Sequence, residues 1–130
     1  MLDTTRIDDW LERYRGAWTT DDPTEIGRLF ADDVRYFTAP FAEPLEGIDE
    51  VTAYWLGEAE SGITWSFKYE VLASEGDLFV VRAVTRYPEG TRDAGGHREV
   101  FHNLWLVTMT DDGRAREFVE YFMLAPDDAG

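Results

Sequence analysis

The order of hydrophobic periodicities constrains the fold of this chain more than any single motif. The block LFADDVRYFTAPFAEPLEGIDEVTAYW, from Leu29 to Trp55, reads as a helix end, an acidic turn, a short aromatic strand, a Pro-rich loop and a further helix. Four strand-like segments follow it, with no more helix. A chain that runs helix, helix, short strand, helix and then a long meander buries its helices by wrapping one bent sheet around them. Such a wrap leaves a pocket, and here aromatic side chains would line it.

The elements follow from local signals. Asp3 or Thr4/Thr5 can cap a first helix, with Asp8 and Asp9 in its first turn. Ile7, Trp10, Leu11, Tyr14, Ala17 and Trp18 recur at steps of three and four, so they form one apolar face ending near Thr19 and Thr20. Asp22-Pro23 starts a second helix, with Asp22 as cap and Pro23 at the first helical position. Its apolar face is Ile26, Leu29 and Phe30, and Asp32-Asp33 closes it. Val34 to Phe37 reads as a short strand. Thr38 to Glu46 contains Pro40 and Pro44 and is expected to hold no regular element. Gly47 to Gly57 reads as the third helix, with Ile48, Val51, Tyr54 and Trp55 on one side and Gly62 marking the break beyond it.

In the meander, Trp65 to Ala73 alternates, with Trp65, Phe67, Tyr69 and Val71 on one face. Ser74-Glu75-Gly76-Asp77 is a hairpin turn. Leu78 to Tyr87 puts Arg82 and Arg86 on one face and Phe79, Val81, Ala83, Thr85 and Tyr87 on the other. A Gly-rich loop, Pro88 to Gly96, precedes the strand Arg98 to Thr110, which is apolar on both faces and so needs two covers. The helices supply one cover, and a second copy of the chain is expected to supply the other. Asp111-Asp112-Gly113 turns into the last strand, Arg114 to Leu124.

Composition excludes several function classes. The 130 residues suit a single domain that buries about two-thirds of its unfolded surface. With 44% apolar and 15% aromatic residues the chain is a packed globule. The net charge of −15 repels phosphate, which argues against nucleic acid and anionic membrane as partners. No cysteine is present, so disulfides and thiolate chemistry are absent, as in a reducing compartment. MLDTTRIDDW lacks an apolar signal core, and no window reaches the ~18 apolar residues of a membrane span, so the expected location is cytoplasmic. Eleven Arg against the lone Lys68 hint at a high-GC bacterial source.

The first-helix segment WLERYRGAW, the helix start GIDEVTAYW and the ending DDGRAREFVEYF resemble the SnoaL-like branch of the nuclear-transport-factor-2-like superfamily over nearly the whole chain. The resemblance implies a cone, an α+β fold in which a strongly curved antiparallel sheet wraps three helices and opens at one end. The superfamily holds ketosteroid isomerases, epoxide hydrolases, polyketide cyclases, dehydratases and plain binding modules, so the fold does not choose among them. Tyr14 resembles the first-helix Tyr with which ketosteroid isomerases polarise a carbonyl. Their general base, an Asp before a Pro, is replaced by Thr38-Ala39-Pro40, and Trp105 occupies the slot of their protonated Asp. The Asp-Arg-Asp set of the epoxide hydrolases has no counterpart. Steroid isomerisation and epoxide opening are therefore not expected.

The same resemblance turns Phe118, Glu120 and Phe122 of the last strand toward the cavity, together with Phe101, Asn103 and Trp105 of its neighbour. A carboxylate inside an apolar cup is desolvated, which raises its pKa toward neutrality and makes it a usable acid or base. Glu120, Tyr14 and Asn103 are the candidate catalytic residues. Trp18, Tyr36, Tyr54, Trp55, Phe67, Tyr69, Trp105, Phe118 and Phe122 are the candidate ligand-binding residues. The opposing reading makes Glu120 a structural acid, bonded to Tyr14, Asn103 or a Trp N–H, or leaves it at the rim in water. His97 falls in the Gly-rich loop and His102 on the convex face. No spacing of His, Asp or Glu suggests a metal, Gly95-Gly96 lacks the helix a phosphate cradle needs, and no cofactor is expected.

Three functions fit this reading. One is cofactor-independent acid–base conversion of a small apolar substrate of polyketide or terpenoid type. Another is ligand binding without catalysis, and the third is a dimeric module whose pocket is filled by its own side chains. The expected homodimer uses the convex face, with Val80, Val84, His102, Leu104 and Leu106 beside Arg82 and Arg86.

Overall fold

The computed structural model describes residues 4–20, 22–58, 66–86 and 100–124. The segments holding Trp65, Tyr87 and His97, and the side chain of Trp18, lie outside the described residues. Helix α1 (Thr5–Thr20) starts where Thr4 meets Asp8, whose carboxylate takes a 2.6 Å hydrogen bond from the Thr4 hydroxyl. Its expected face is the buried one, with Ile7, Trp10, Leu11, Tyr14 and Ala17 all in the core. Helix α2 (Pro23–Leu29) begins at Asp22, whose carboxylate accepts from the Thr24 N–H at 2.9 Å, and Pro23 fills the first turn as expected.

The chain leaves α2 earlier than its sequence suggests. Strand β1 is Phe30–Phe37, so Asp32 and Asp33 lie within a strand and do not close the helix. Phe30 is already extended (φ −123°, ψ 140°). Its fully buried ring sits edge-on to Trp10 and Trp55, at 5.9 and 5.4 Å between centroids, and that packing pulls it out of the helix. The two aspartates occupy a register break between Phe30 and Arg35, so both reach solvent without flipping Val34 and Tyr36 out of the core.

The Pro-rich stretch also ends in a pairing that its prolines concealed. Strand β2 (Leu45–Glu46) lies antiparallel to β1, with Tyr36 opposite Leu45. Pro44 stands just outside this ladder, where its missing N–H costs nothing. Gly47, at φ +89°, then donates its N–H to the Val34 carbonyl at 2.8 Å and turns the chain into helix α3 (Ile48–Glu58).

Strands β3 (Ser66–Glu75), β4 (Leu78–Arg86), β5 (Val100–Met109) and β6 (Ala115–Leu124) complete one six-stranded sheet in the order β2-β1-β6-β5-β4-β3. All neighbours are antiparallel except β1 and β6, which run parallel, so the sheet is mixed, curved and unclosed. The expected α+β cone is what forms. The core lies between the concave sheet face and the helices, and the indole N–H of Trp10 ties α1 to α2 by donating to the Leu29 carbonyl at 2.8 Å. Among the described residues no helix is long and apolar enough to cross a membrane.

Candidate functional site

Register across β4, β5 and β6 builds the site. Val81 lies opposite Trp105 and Trp105 opposite Glu120; in the next inward row Ala83 lies opposite Asn103 and Asn103 opposite Phe122. Glu120 therefore faces the indole directly and the amide on the diagonal. Its Oε2 accepts two hydrogen bonds, from Trp105 Nε1 at 2.7 Å and from Asn103 Nδ2 at 2.8 Å. Asn103 is held in turn by the Thr85 hydroxyl, which donates to Asn103 Oδ1 at 3.0 Å. The small side chain of Ala83 leaves the amide room between Thr85 and the indole.

Burial pushes the Glu120 carboxyl above its ordinary pKa, and the two N–H donors pull it back because they favour the ionised form. Both of these donors meet the same oxygen, Oε2. Tyr36 is buried on β1 and stacks on Phe118 with centroids 4.8 Å apart. Its phenol is held well above the usual value, first by burial and then by the charges of Glu120 and Tyr54, with the Trp55 indole opposing. Tyr36 thus stays a neutral hydroxyl at physiological pH, close enough to feel Glu120.

Aromatic rings surround these groups. Phe118 is fully buried below Glu120, with Trp105 at 6.1 Å and Trp10 at 6.0 Å. Tyr54 stands 5.8 Å from Tyr36. At the rim, Phe101 and Phe122 lie edge to face at 6.1 Å.

The sequence of the chain matches the SnoaL-like domain family over residues 11–118. The chain belongs to that family. Solved structures similar to this SnoaL-like domain include TsrD from Streptomyces laurentii, 21% identical with a TM-score of 0.67, covering 94% of this chain and 91% of that one. A protein described as a SnoaL-like polyketide cyclase from Jannaschia sp. CCS1 is 18% identical (TM-score 0.70; 91% and 85% covered). SalBIII, an epoxide hydrolase/cyclase-like enzyme with a role in pyran ring formation in the polyether salinomycin, is 14% identical (TM-score 0.72; 95% and 95% covered). No curated protein sequence matches significantly. At these identities the structural likeness speaks for the fold.

In this SnoaL-like domain the sequence-derived candidates separate into groups. Asn103, Trp105 and Tyr36 gather around the Glu120 carboxylate, and Tyr54 stands behind Tyr36. Tyr14 and Trp55 belong to the packed floor. The Tyr14 ring lies 5.3 Å from both Trp55 and Trp105 and 6.0 Å from Phe67, which bounds the cup on the β3 side. Phe122 is 56% exposed, so it marks the rim. Tyr69 is drawn elsewhere: burial and a hydrogen-bonded Asp8 push its hydroxyl up to about 12, at the start of α1 and away from Glu120. Thr85 escaped the sequence reading, which offered Asn103 or a Trp N–H as partners of Glu120 without naming the indole of Trp105. The signal for Thr85 was a hydroxyl among the inward positions of β4, which are otherwise apolar. Among the described residues no cluster of His, Asp and Glu could hold a metal ion.

A groove of about 570 Å³ runs between the loop Ala39-Pro40-Phe41 and the strand positions Arg82, His102 to Leu104 and Tyr121 to Met123, so Asn103 and Phe122 line it together with outward side chains. Phe41 at its edge is 90% exposed. A second, charged depression of about 390 Å³ holds Asp33, Arg35, Thr108, Arg116 and Glu117, in which Arg35 and Glu117 pair at 3.7 Å.

Proposed function

We propose that this protein binds a small, largely apolar molecule of polyketide or terpenoid type in its cup and converts it by acid–base chemistry at Glu120. One observation carries the reading: a carboxylate desolvated among aromatic rings has its Oε2 held by the Asn103 amide and the Trp105 indole. Fixed donors hold the geometry while burial raises the carboxyl's pKa, which favours proton exchange. In this reading Oε1 takes a proton from an acidic carbon or hydroxyl and returns it elsewhere on the same molecule. The Tyr36 hydroxyl offers a hydrogen bond to the oxygen that becomes negative. Tyr14, Trp55, Phe67 and Phe118 shape the apolar floor, while Phe122 brackets the entry. The SnoaL-like family and its cyclase-like structural relatives support a role in handling small molecules.

The test is a thermal-shift screen with hydrophobic metabolites, followed by incubation of each hit with wild type and Glu120→Gln. Wild type is expected to transform a hit that the Gln variant only binds. Full turnover by Glu120→Gln would overturn the acid–base role and leave a binding module.

The outer face supports a second element, pairing with another copy of the chain. Val80, Arg82 and Val84 align in register with Leu106, Leu104 and His102, and these with Val119, Tyr121 and Met123. None of these nine positions is acidic, although the chain carries 27 acids, and Arg82 is paired with Glu70. Two chains of charge −15 can approach on such a patch with little repulsion, and the exposed Phe41 of each copy would fill the groove of the other. Sedimentation equilibrium is expected to show a dimer for wild type and a monomer for Leu104→Asp. A monomeric wild type would dismiss this pairing and leave the cup proposal standing.

A further inference from the structure

We propose that the ligand of the cup carries a positive charge: an apolar amine in its protonated form, seated against Oε1 of Glu120 with aromatic faces around it. The proposal rests on the preceding reading that the cup binds a small apolar molecule, and it names the charge of that molecule.

Both hydrogen bonds to Glu120 come from neutral N–H groups, and both end on Oε2. Among the described residues no Lys, Arg or His forms an ion pair with it. Seven of the described arginines are engaged elsewhere. Arg6, Arg13, Arg28, Arg35, Arg82 and Arg114 pair with Asp77, Asp9, Glu25, Glu117, Glu70 and Asp112 at the surface. Arg15 stacks over the Phe67 ring at 4.2 Å, but its guanidinium is tied to Glu12 and to the Phe67 carbonyl. Among the described residues the partly buried carboxylate thus lacks the counter-charge that usually accompanies one.

The chemistry of the walls says what could supply it. Tyr36 and Trp105 place aromatic rings near Glu120, with Tyr54 beside Tyr36, and aromatic faces attract cations more strongly as water is removed. A cation in the cup meets a carboxylate oxygen and ring faces together, inside a chain of net charge −15. An anion would meet the same carboxylate and the same field with no described base to offset them. A neutral alcohol gains one hydrogen bond from Oε1 and nothing from the field. Charge, rings and net field all favour the ammonium.

The test uses three probes on one scaffold, benzylamine, benzyl alcohol and benzoate, together with their naphthylmethyl and naphthoate analogues. Each is titrated at neutral pH and low salt into full-length wild type and Glu120→Gln by isothermal calorimetry. The Gln side chain keeps the shape and accepts both N–H donors, and melting curves check that it folds. The amine is expected to bind wild type at 1:1, about tenfold or more tighter than the alcohol, because a hydrogen bond to a buried charge exceeds one to a neutral group by that order. Benzoate is expected not to bind. In Glu120→Gln the amine should lose that advantage while the alcohol changes by less than about twofold. Alcohol binding as tight as amine binding in wild type overturns the charge proposal and leaves the pocket reading intact. An amine affinity unmoved by Glu120→Gln does the same, since it assigns the amine to the acidic surface. Failure of all six probes to bind overturns both.

Discussion

Replacing Trp105 by Phe tests the site at its most informative bond. The substitution keeps an aromatic ring on the floor but deletes the N–H that donates to Glu120 Oε2 at 2.7 Å. A hydrogen bond to a charged group contributes about 1.5–3 kcal/mol, and one pKa unit corresponds to about 1.4 kcal/mol, so the Glu120 pKa should rise by about one to two. The variant also loses packing. Trp105 is 2% exposed and lies 5.3 Å from Tyr14 and 5.7 Å from Phe67, so some part of the roughly 3–5 kcal/mol of a Trp→Ala change will be lost as well. The two losses separate by pH. Packing does not titrate, whereas the donor matters mainly while Glu120 is ionised. The folded pKa of Glu120 is raised above 4.5, so its protonated form favours folding. That contribution is fully present below the unfolded value and is lost as pH rises through the folded one. In Trp105→Phe the folded pKa is higher still, so the loss is larger. Urea unfolding of both proteins from pH 4 to 9 should show a stability gap that widens by about 1.5–3 kcal/mol toward high pH. Carbon-13 NMR of the Glu120 carboxyl should report the higher pKa directly. A gap that stays constant across this range, or an unmoved pKa, would refute the assignment of the indole as the carboxylate's donor.

Three further outcomes follow from other contacts. Thr85→Val removes the hydroxyl that orients Asn103, so NMR should show a raised Glu120 pKa and a stability loss of about 1 kcal/mol, both restored by Thr85→Ser but not by Thr85→Ala. Phe118→Ala empties a fully buried position between Tyr36 and Trp105 and should cost about 3–5 kcal/mol by urea titration; a loss under about 1.5 kcal/mol would mean the floor is loosely packed. Asp22→Ala removes the cap of α2, and thermal unfolding should show about 1 kcal/mol of lost stability, largely recovered by Asp22→Ser.

The helices and the meander were legible because their signals are local. Steps of three and four along Ile7, Trp10, Leu11, Tyr14 and Ala17 name a buried face without reference to the rest of the chain. The sequence reading failed where a distant partner overrides local preference. Phe30 continues the apolar face of α2 in sequence, yet edge contacts with Trp10 and Trp55 draw it into β1. Asp32-Asp33 has the composition of a turn and is a strand irregularity, because the register break lets both acids face water. Leu45–Glu46 pairs with β1 although two residues leave no periodicity to detect. Tyr69 alternates correctly along β3 but is claimed by Asp8 of α1, a contact that spacing along β3 cannot reveal.

Alternation sorted the residues of β4, β5 and β6 into two faces and the family resemblance chose the inward one, since a period of two assigns every side chain to a face once one is placed. It did so only to within a slip of two residues. Such a slip would keep Glu120 inside yet set it opposite Val107, with Phe122 opposite Trp105. The carboxylate would then lose its indole and its amide. The Asp111-Asp112-Gly113 turn is visible in the sequence, but the register shift between Thr108 and Met109 that seats Glu120 against Trp105 is not. Three strands had to close on the helices before Thr85, Asn103, Trp105 and Glu120 could meet. Their meeting is a property of the packed sheet, where burying the apolar rows selects one offset among those the alternation allows.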